Sequence, residues 1–463
     1  MRHALAIFCL LGALIPSLGQ AGDAVHSTVM TLENGLQVVV VEQHYVPAVA
    51  HMLLVRAGSA EDPRGQSGLA HYLEHMLFKG TESISEEAYN QQIASLGGEH
   101  NAYTDNDVTA YYVLVARKNL ADVMALESER FLHWQPKAAV YASERDVIVE
   151  ERRLRTENQP SALLSEAMGA ALYQNHPYHT PVIGWLHEMQ QLSPQNAKDF
   201  FATYYQPKNA TLLLVGDITP ADARDMAENY YGEWKNTREV PARVWPSEPP
   251  QRGSLLVKMS NPTVQQPLWR RYYKAPSLRD GQTSEAIPLM LLADMLGAEG
   301  TGLLYKALVE TGKATTVSVG YSPFSIGPTE FSVSMIPATG VTPEALSEAY
   351  EAALAKILHR TQFTEAALQR AKTQLKAATI FSQDGLDGQA FLIAQLLTLG
   401  MSAEEFAALP QKIDAVSLAQ VSSAAAHTMI DHLSVTGYLL PDNKAAAPAS
   451  KTPILLQETG RVH

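Results

Sequence analysis

"LSPQNAKDFFATYYQPKNATLLLVGDITP", residues 192–220, reads as a helix with a capped start, a turn at Pro207 and an apolar strand that closes on Gly216 and Asp217. The same order recurs near the other end of the chain, in "VSLAQVSSAAAHTMIDHLSVTGYLLPDN", residues 416–443. There Ser417 is the cap, a helix follows, and a strand runs through Gly437 to Pro441 and Asp442. Identity between the two stretches is weak but the plan is shared, which points to one folding unit used twice. Between them, "VPARVWPSEPPQRG", residues 240–253, packs four prolines into a short window and interrupts every periodic pattern. It reads as a linker between residues 22–239 and residues 254–447, with a tail at 448–463. A chain of 463 residues also exceeds what one hydrophobic core usually supports.

Within the first half, "LQVVVVEQ" and "AVAHMLLVRAG" read as strands, residues 68–79 as a helix, and "HNAYTDNDVTAYYVLV" as an alternating strand pair. Two further helical stretches, 120–134 and 138–156, flank Pro136. Strands and helices that mix without a regular parallel-sheet alternation predict an α+β fold of two homologous domains. Each is a mostly antiparallel sheet with helices packed on it, arranged as a clam shell.

The first residues, "MRHALAIFCLLGALIPSLGQAG", carry Arg2, then an apolar run too short for a bilayer, then small residues around Ala21. This predicts an export signal at 1–21, cleaved to leave a soluble periplasmic protein with no membrane anchor. The only cysteine, Cys9, lies inside the apolar run and not at its end, which argues against a lipid anchor. Removal of the leader excludes disulfides, thiolate metal sites and a cysteine nucleophile, so any metal must be held by nitrogen and oxygen. A formal net charge of −13 with no basic run argues against nucleic acid or an anionic membrane as partner.

"GLAHYLEHMLFKGT", residues 68–81, contains two histidines four apart with a glutamate beside the second. On a helix, positions i and i+4 differ by about 40° of rotation, so His71 and His75 can share one ion. Glu74 then sits beside the open coordination position. Ser67 is the expected cap of this helix, and Lys79 with Gly80 suits its end. Catalytic zinc takes three protein ligands and leaves a fourth position for water. "SERDVIVEERR" offers the third ligand: Glu144 and Glu151 are seven apart, about two turns, on the stripe that Val147 and Ile148 are expected to carry inward. Glu150 points about 100° away, toward Arg153 and solvent. A carboxylate on an apolar face is costly unless paired or metal-bound, so Glu151 is the expected ligand and Glu144 the group that orients an imidazole. A lone histidine is more often structural. His51, in a strand pattern, and His100 and His176, read as loop residues, are taken as such.

HxxEH followed by the glutamate of "ERDVIVEE" resembles the inverted-zincin peptidases of the insulinase, pitrilysin and mitochondrial-processing-peptidase family, in a short two-domain bacterial form. The likeness extends through "GSAEDPRGQSGLAHYLEHMLFKGT", "LGGEHNAYTDNDVTAYY", "HPYHTPVIGW" and "YYQPKNATLLLVGDI". The resemblance implies one zinc ion per chain on His71, His75 and Glu151, with Glu74 as general base. It also implies that Asn101, Ala102 and Tyr103 bind an extended peptide substrate. That fits "EHNAYTDND" as an edge strand, to which a peptide can add by main-chain hydrogen bonds.

The second half departs from the pattern: "LLADMLGAEGTG" stands where a second HxxEH would be and has neither histidine. In related enzymes this half contributes an Arg and, seven residues later, a Tyr. Here "LLYKALVETGKATTVSVGY" puts Val309 and Thr316 at those positions, and neither donates as Arg and Tyr do. The expectation is therefore a zinc metalloendopeptidase that forms the metal-bearing subunit of a dimer, with a homologous partner supplying the missing pair. The competing reading is a non-catalytic peptide-holding or assembly subunit, which would have no need to keep costly inward carboxylates.

Overall fold

The computed structural model describes residues 27–359, 363–381 and 385–442; the expected leader with Cys9 and the expected tail lie outside the described residues. The first sheet contains β1 (Ser27–Thr31), β2 (Gln37–Glu42), β3 (Ala48–Val55), β4 (Glu99–Thr104), β5 (Thr109–Ala116) and β6 (Ala210–Gly216), in the order β1-β2-β6-β3-β5-β4. The second contains β7 (Leu255–Asn261), β8 (Leu268–Ala275), β9 (Ala314–Tyr321), β10 (Thr329–Pro337) and β11 (Ser434–Pro441), in the order β7-β11-β8-β10-β9. Strand for strand, the second order repeats β2-β6-β3-β5-β4. The repeat includes the parallel pairs, β2 with β6 and β7 with β11; the other ladders are antiparallel. The two helix–turn–strand stretches that suggested a duplication lead into β6 and β11, the same place in each sheet. The fold is thus α+β and doubled, as expected.

The central strands are apolar on both faces. In β2, Val38 and Val40 turn to one core while Val39 and Val41 turn to another, and β6 divides Leu212 and Leu214 from Leu213 and Val215 in the same way. A sheet with two apolar faces needs two covers. Helices of the first half, among them Leu69–Leu77, Leu120–Leu132, Pro194–Tyr204 and Pro220–Tyr231, close one face. The other face is closed by a helix of the second half, Leu386–Thr398, through Leu386, Ala390, Ile393 and Ala394. The exchange is reciprocal. Helix Pro160–Leu172 of the first half lays Leu164, Met168 and Leu172 on Val435 and Leu439 of β11. It comes so close that a Cβ on Gly437 would run into the Met168 sulfur.

The proline-rich stretch has no regular structure, yet it is pinned at several points. Arg243 pairs with Glu61 at 2.7 Å and with Asp107 at 3.4 Å. Asp107 also accepts from the Tyr178 hydroxyl at 2.6 Å and from the Ile326 amide at 3.0 Å, so one carboxylate joins the linker to both halves. Trp245 packs edge-on against His176, with ring centroids 4.6 Å apart. Glu248 accepts from the backbone amides of Gln174, Asn175 and His176 and pairs with Lys274 at 2.6 Å.

Three local expectations are corrected. Ser67 does not cap the histidine helix: its hydroxyl accepts from the Trp185 amide at 2.8 Å, and Asp62 takes the capping role from outside the helix. Val147 does not run inward with Ile148; it is 48% exposed, because the helix turns that side toward an open cleft. His100 is not in a loop but in β4, where its ring packs on Phe78 and Tyr89. His51 is structural as expected, buried with Nε2 2.9 Å from the Tyr231 hydroxyl.

Two predictions follow from this packing. Ile393→Ala removes a buried side chain from the lent helix and should cost about 2–4 kcal/mol. Amide exchange should then quicken in β2, β3 and β6 of the other half, and unchanged exchange there would contradict the exchange of helices. Burial alone would raise the Glu248 carboxyl, but the Lys274 ammonium and three amide donors outweigh it and hold it at about 2. A carboxylate depressed in this way stabilises the fold above its unfolded pKa of about 4.3, and that contribution is lost as pH falls toward the folded value. Urea midpoints of wild type and Glu248→Gln should therefore differ at neutral pH and converge as pH falls from about 5 toward 2.

Candidate metal centre

Two helices meet at the cleft, the histidine helix (Leu69–Leu77) and the glutamate helix (Ala138–Arg152). The first begins at Gly68, with φ of 81°, where a Cβ would stand 2.6 Å from the Ile183 carbonyl oxygen. Only glycine accommodates both constraints. The Asp62 carboxylate accepts from the amides of Gly68 at 2.7 Å and Ala70 at 2.8 Å, satisfying donors that a helix start leaves free. Leu69, Leu73 and Met76 sink into the core, which fixes the helix rotation and aims His71 and His75 the other way. Tyr141, Ile148 and Val149 anchor the glutamate helix, and the Tyr72 hydroxyl donates to the Tyr141 carbonyl at 2.6 Å, tying the two helices together.

This packing brings the expected ligands into one group. His71 Nε2 lies 3.5 Å and His75 Nε2 3.4 Å from Glu151 Oε2, and one ligand atom from each residue falls within 4.8 Å of the others. Glu151 Oε2 is buried with no aligned donor of its own. A buried acceptor wedged between two imidazole nitrogens is what a divalent ion would satisfy, and a donor set of two imidazoles and one carboxylate suits zinc. Glu144 Oε1 lies 2.8 Å from His75 Nδ1 and so turns the other ring nitrogen to the centre; its second oxygen takes Lys79 at 2.8 Å. Glu150 lines the outer part of the cleft and pairs with Arg153.

Electrostatics separates the two imidazoles. Burial first, then the neighbouring His75, lowers His71 to about 4 and keeps it neutral and ready to ligate. Burial would lower His75 as well, but Glu144 and Glu151 outweigh it and raise the ring to about 9. Glu151 is held low, first by His75 and then by charges that overcome its burial. Glu74, one residue before His75, is raised by burial, and its Oε2 accepts from the Thr104 hydroxyl at 2.6 Å.

The cleft has a volume of about 1150 Å³, and all of its lining residues lie between positions 71 and 183. One wall is β4, the free edge of the first sheet, as the strand pattern predicts. Asn101, Ala102 and Tyr103 all line the cleft but face different ways. Asn101 is exposed, Ala102 packs against the core, and the Tyr103 ring turns onto Phe391 of the lent helix at 5.8 Å. Sequence reasoning missed Thr104, although alternation along β4 places it on the same side as Ala102. It also missed Asp62, for which no local signal exists, and Arg155, four positions after Glu151 and 2.7 Å from its Oε1.

Comparison with known proteins identifies the family. The family model described as "Insulinase (Peptidase family M16)" matches residues 37–184, and "Peptidase M16 inactive domain" matches residues 191–375. The zinc protease PqqE of Helicobacter pylori is 30% identical over 80% of this chain and 82% of its own length. A probable mitochondrial-processing peptidase subunit beta of Arabidopsis thaliana is 24% identical over 87% of this chain and 76% of its own. The crystal structure of a protease from Helicobacter pylori superposes with a TM-score of 0.84 at 27% identity, over 90% of this chain and 100% of that one. The chain described here therefore belongs to the insulinase family of peptidases, family M16.

Proposed function

We propose that this chain is a zinc-dependent endopeptidase that hydrolyses peptides or unfolded protein segments held in extended form. The observation that carries the reading is the orphaned Glu151 oxygen facing two imidazoles, with the Glu74 carboxylate on the same helix and a free strand edge alongside. Zinc held by His71, His75 and Glu151 would supply Lewis acidity toward the scissile carbonyl and acidify a water at the open position. The protein's own groups do the rest. β4 offers an unpaired edge to which a peptide adds as one more strand, so affinity comes from main-chain hydrogen bonds and makes little sequence demand. Glu74 takes a proton from the attacking water and returns it to the leaving amine, a task that its raised pKa suits. The Thr104 hydroxyl holds one Glu74 oxygen and leaves the other for that transfer.

The chain works as the metal-bearing member of a dimer. Val309 is half-buried against the second core, Thr316 is exposed on β9, and neither is among the residues lining the cleft. A homologous subunit that supplies Arg and Tyr would complete the electrophilic side of the site. The relative named as a mitochondrial-processing peptidase subunit beta supports this division. The N-terminal pattern read as an export leader at 1–21 supports a periplasmic location for the mature protein. Among the described residues, no helix is long and apolar enough to cross a membrane.

Glu74→Gln should retain one zinc per chain while peptide hydrolysis falls about 10²–10⁴-fold. Chelation should abolish wild-type hydrolysis and added zinc should restore it. A purified chain without zinc, or a fully active Glu74→Gln, would refute the peptidase reading. The two-subunit proposal is tested separately: the chain alone should cleave peptides poorly and gain activity on mixing with a co-encoded homologue, and full activity from the single chain would reject it.

A further inference from the structure

Glu151 presents its two oxygens to different partners. Oε2 faces the imidazoles, and Oε1 is held 2.7 Å from a guanidinium nitrogen of Arg155. A carboxylate with both oxygens free can swing to chelate a metal through both, which would fill a position that catalysis needs for water. We propose that Arg155 is a positioning residue of the metal centre: by occupying Oε1 it holds Glu151 as a one-oxygen ligand with Oε2 turned inward. The proposal rests on the reading of Glu151 as a zinc ligand.

An exposed i,i+4 ion pair ordinarily contributes little to stability, and the Arg155 side chain is 73% exposed. Two features set this pair apart. The first is its anchorage. Arg155 lies in a π-helical turn, Arg153–Glu157, that continues the glutamate helix, a distortion frequent at functional sites. Arg152, buried just before the turn, clamps it. Its guanidinium donates to Glu157 at the turn's end, to Glu166 on the next helix and to the Gly184 carbonyl at 2.7 Å. The Gly184 segment in turn packs against Ser67 and Gly68 at the start of the histidine helix. The backbone that carries Arg155 is therefore fixed relative to both metal-binding helices. The second feature is charge. Besides the two histidines and the Tyr103 phenol, the other ionisable groups lining the cleft are the acids Glu74, Asp146, Glu150 and Glu151, so Arg155 is the guanidinium that faces them.

The test compares full-length wild type, Arg155→Met and Arg155→Lys by zinc affinity in chelator competition and by the absorption spectrum of the cobalt-substituted protein. Arg155→Met keeps an unbranched apolar stem and loses the charge. It should bind zinc about 10–100-fold more weakly and shift the cobalt spectrum, while the zinc-free protein keeps its thermal midpoint. Arg155→Lys should recover part of the affinity, because a point charge replaces the planar fork. Wild-type affinity and spectrum in Arg155→Met would overturn the proposal, as would a weakened affinity accompanied by a lowered zinc-free midpoint. A wild-type chain that binds no zinc would instead overturn the ligand assignment beneath it.

Discussion

A carboxylate oxygen buried without a donor is expensive, and Glu151 Oε2 is tolerated only because two imidazole nitrogens face it from another helix. The rest of the architecture serves that convergence. The histidine helix is held in rotation by Leu69, Leu73 and Met76, in position by Asp62 at its start, and against its neighbour by the Tyr72–Tyr141 bond. The glutamate helix is held by Ile148 and Val149 below and by the Arg152 clamp at its end. None of these groups touches the centre, yet a shift in any of them would move a ligand.

The doubling of the fold has its own physical logic. The first sheet is apolar on two faces, and each half lays a helix on the far face of the other's sheet, so the first half cannot bury its surface alone. The linker is consequently not a tether but part of the interface: Arg243 pairs with Asp107, which also accepts from the Ile326 amide, and Glu248 pairs with Lys274 while accepting from the amides of Gln174, Asn175 and His176. Among the described residues, only the first copy carries a candidate ligand group. The second repeats the topology and lends one helix to the first sheet.

Much of this was legible from residue order because it depends on local periodicity. Helical spacing put His71, His75 and Glu74 in reach of one ion, seven-residue spacing paired Glu144 with Glu151, and alternation made β4 a strand. Failures came where a distant group overrode a local signal. Ser67 has the chemistry of a cap, but Trp185 claims it and Asp62 replaces it. Val147 fits an inward stripe, but the space beside it is a cleft and not a core.

By itself, the order of residues determined the doubled α+β plan, the two candidate metal-binding helices and a single cysteine, Cys9, far in sequence from both. These follow from short-range patterns that any fold must respect. Only the tertiary structure decided that the two helices meet, that β4 is a free edge beside them, that Arg155 rather than solvent holds the second Glu151 oxygen, and that the halves exchange helices. Except for the Arg155 pair, which lies four positions along one helical run and is settled by how the open cleft leaves both side chains turned, each of those is a contact between segments far apart in the chain, set by how surfaces pack rather than by spacing along the sequence.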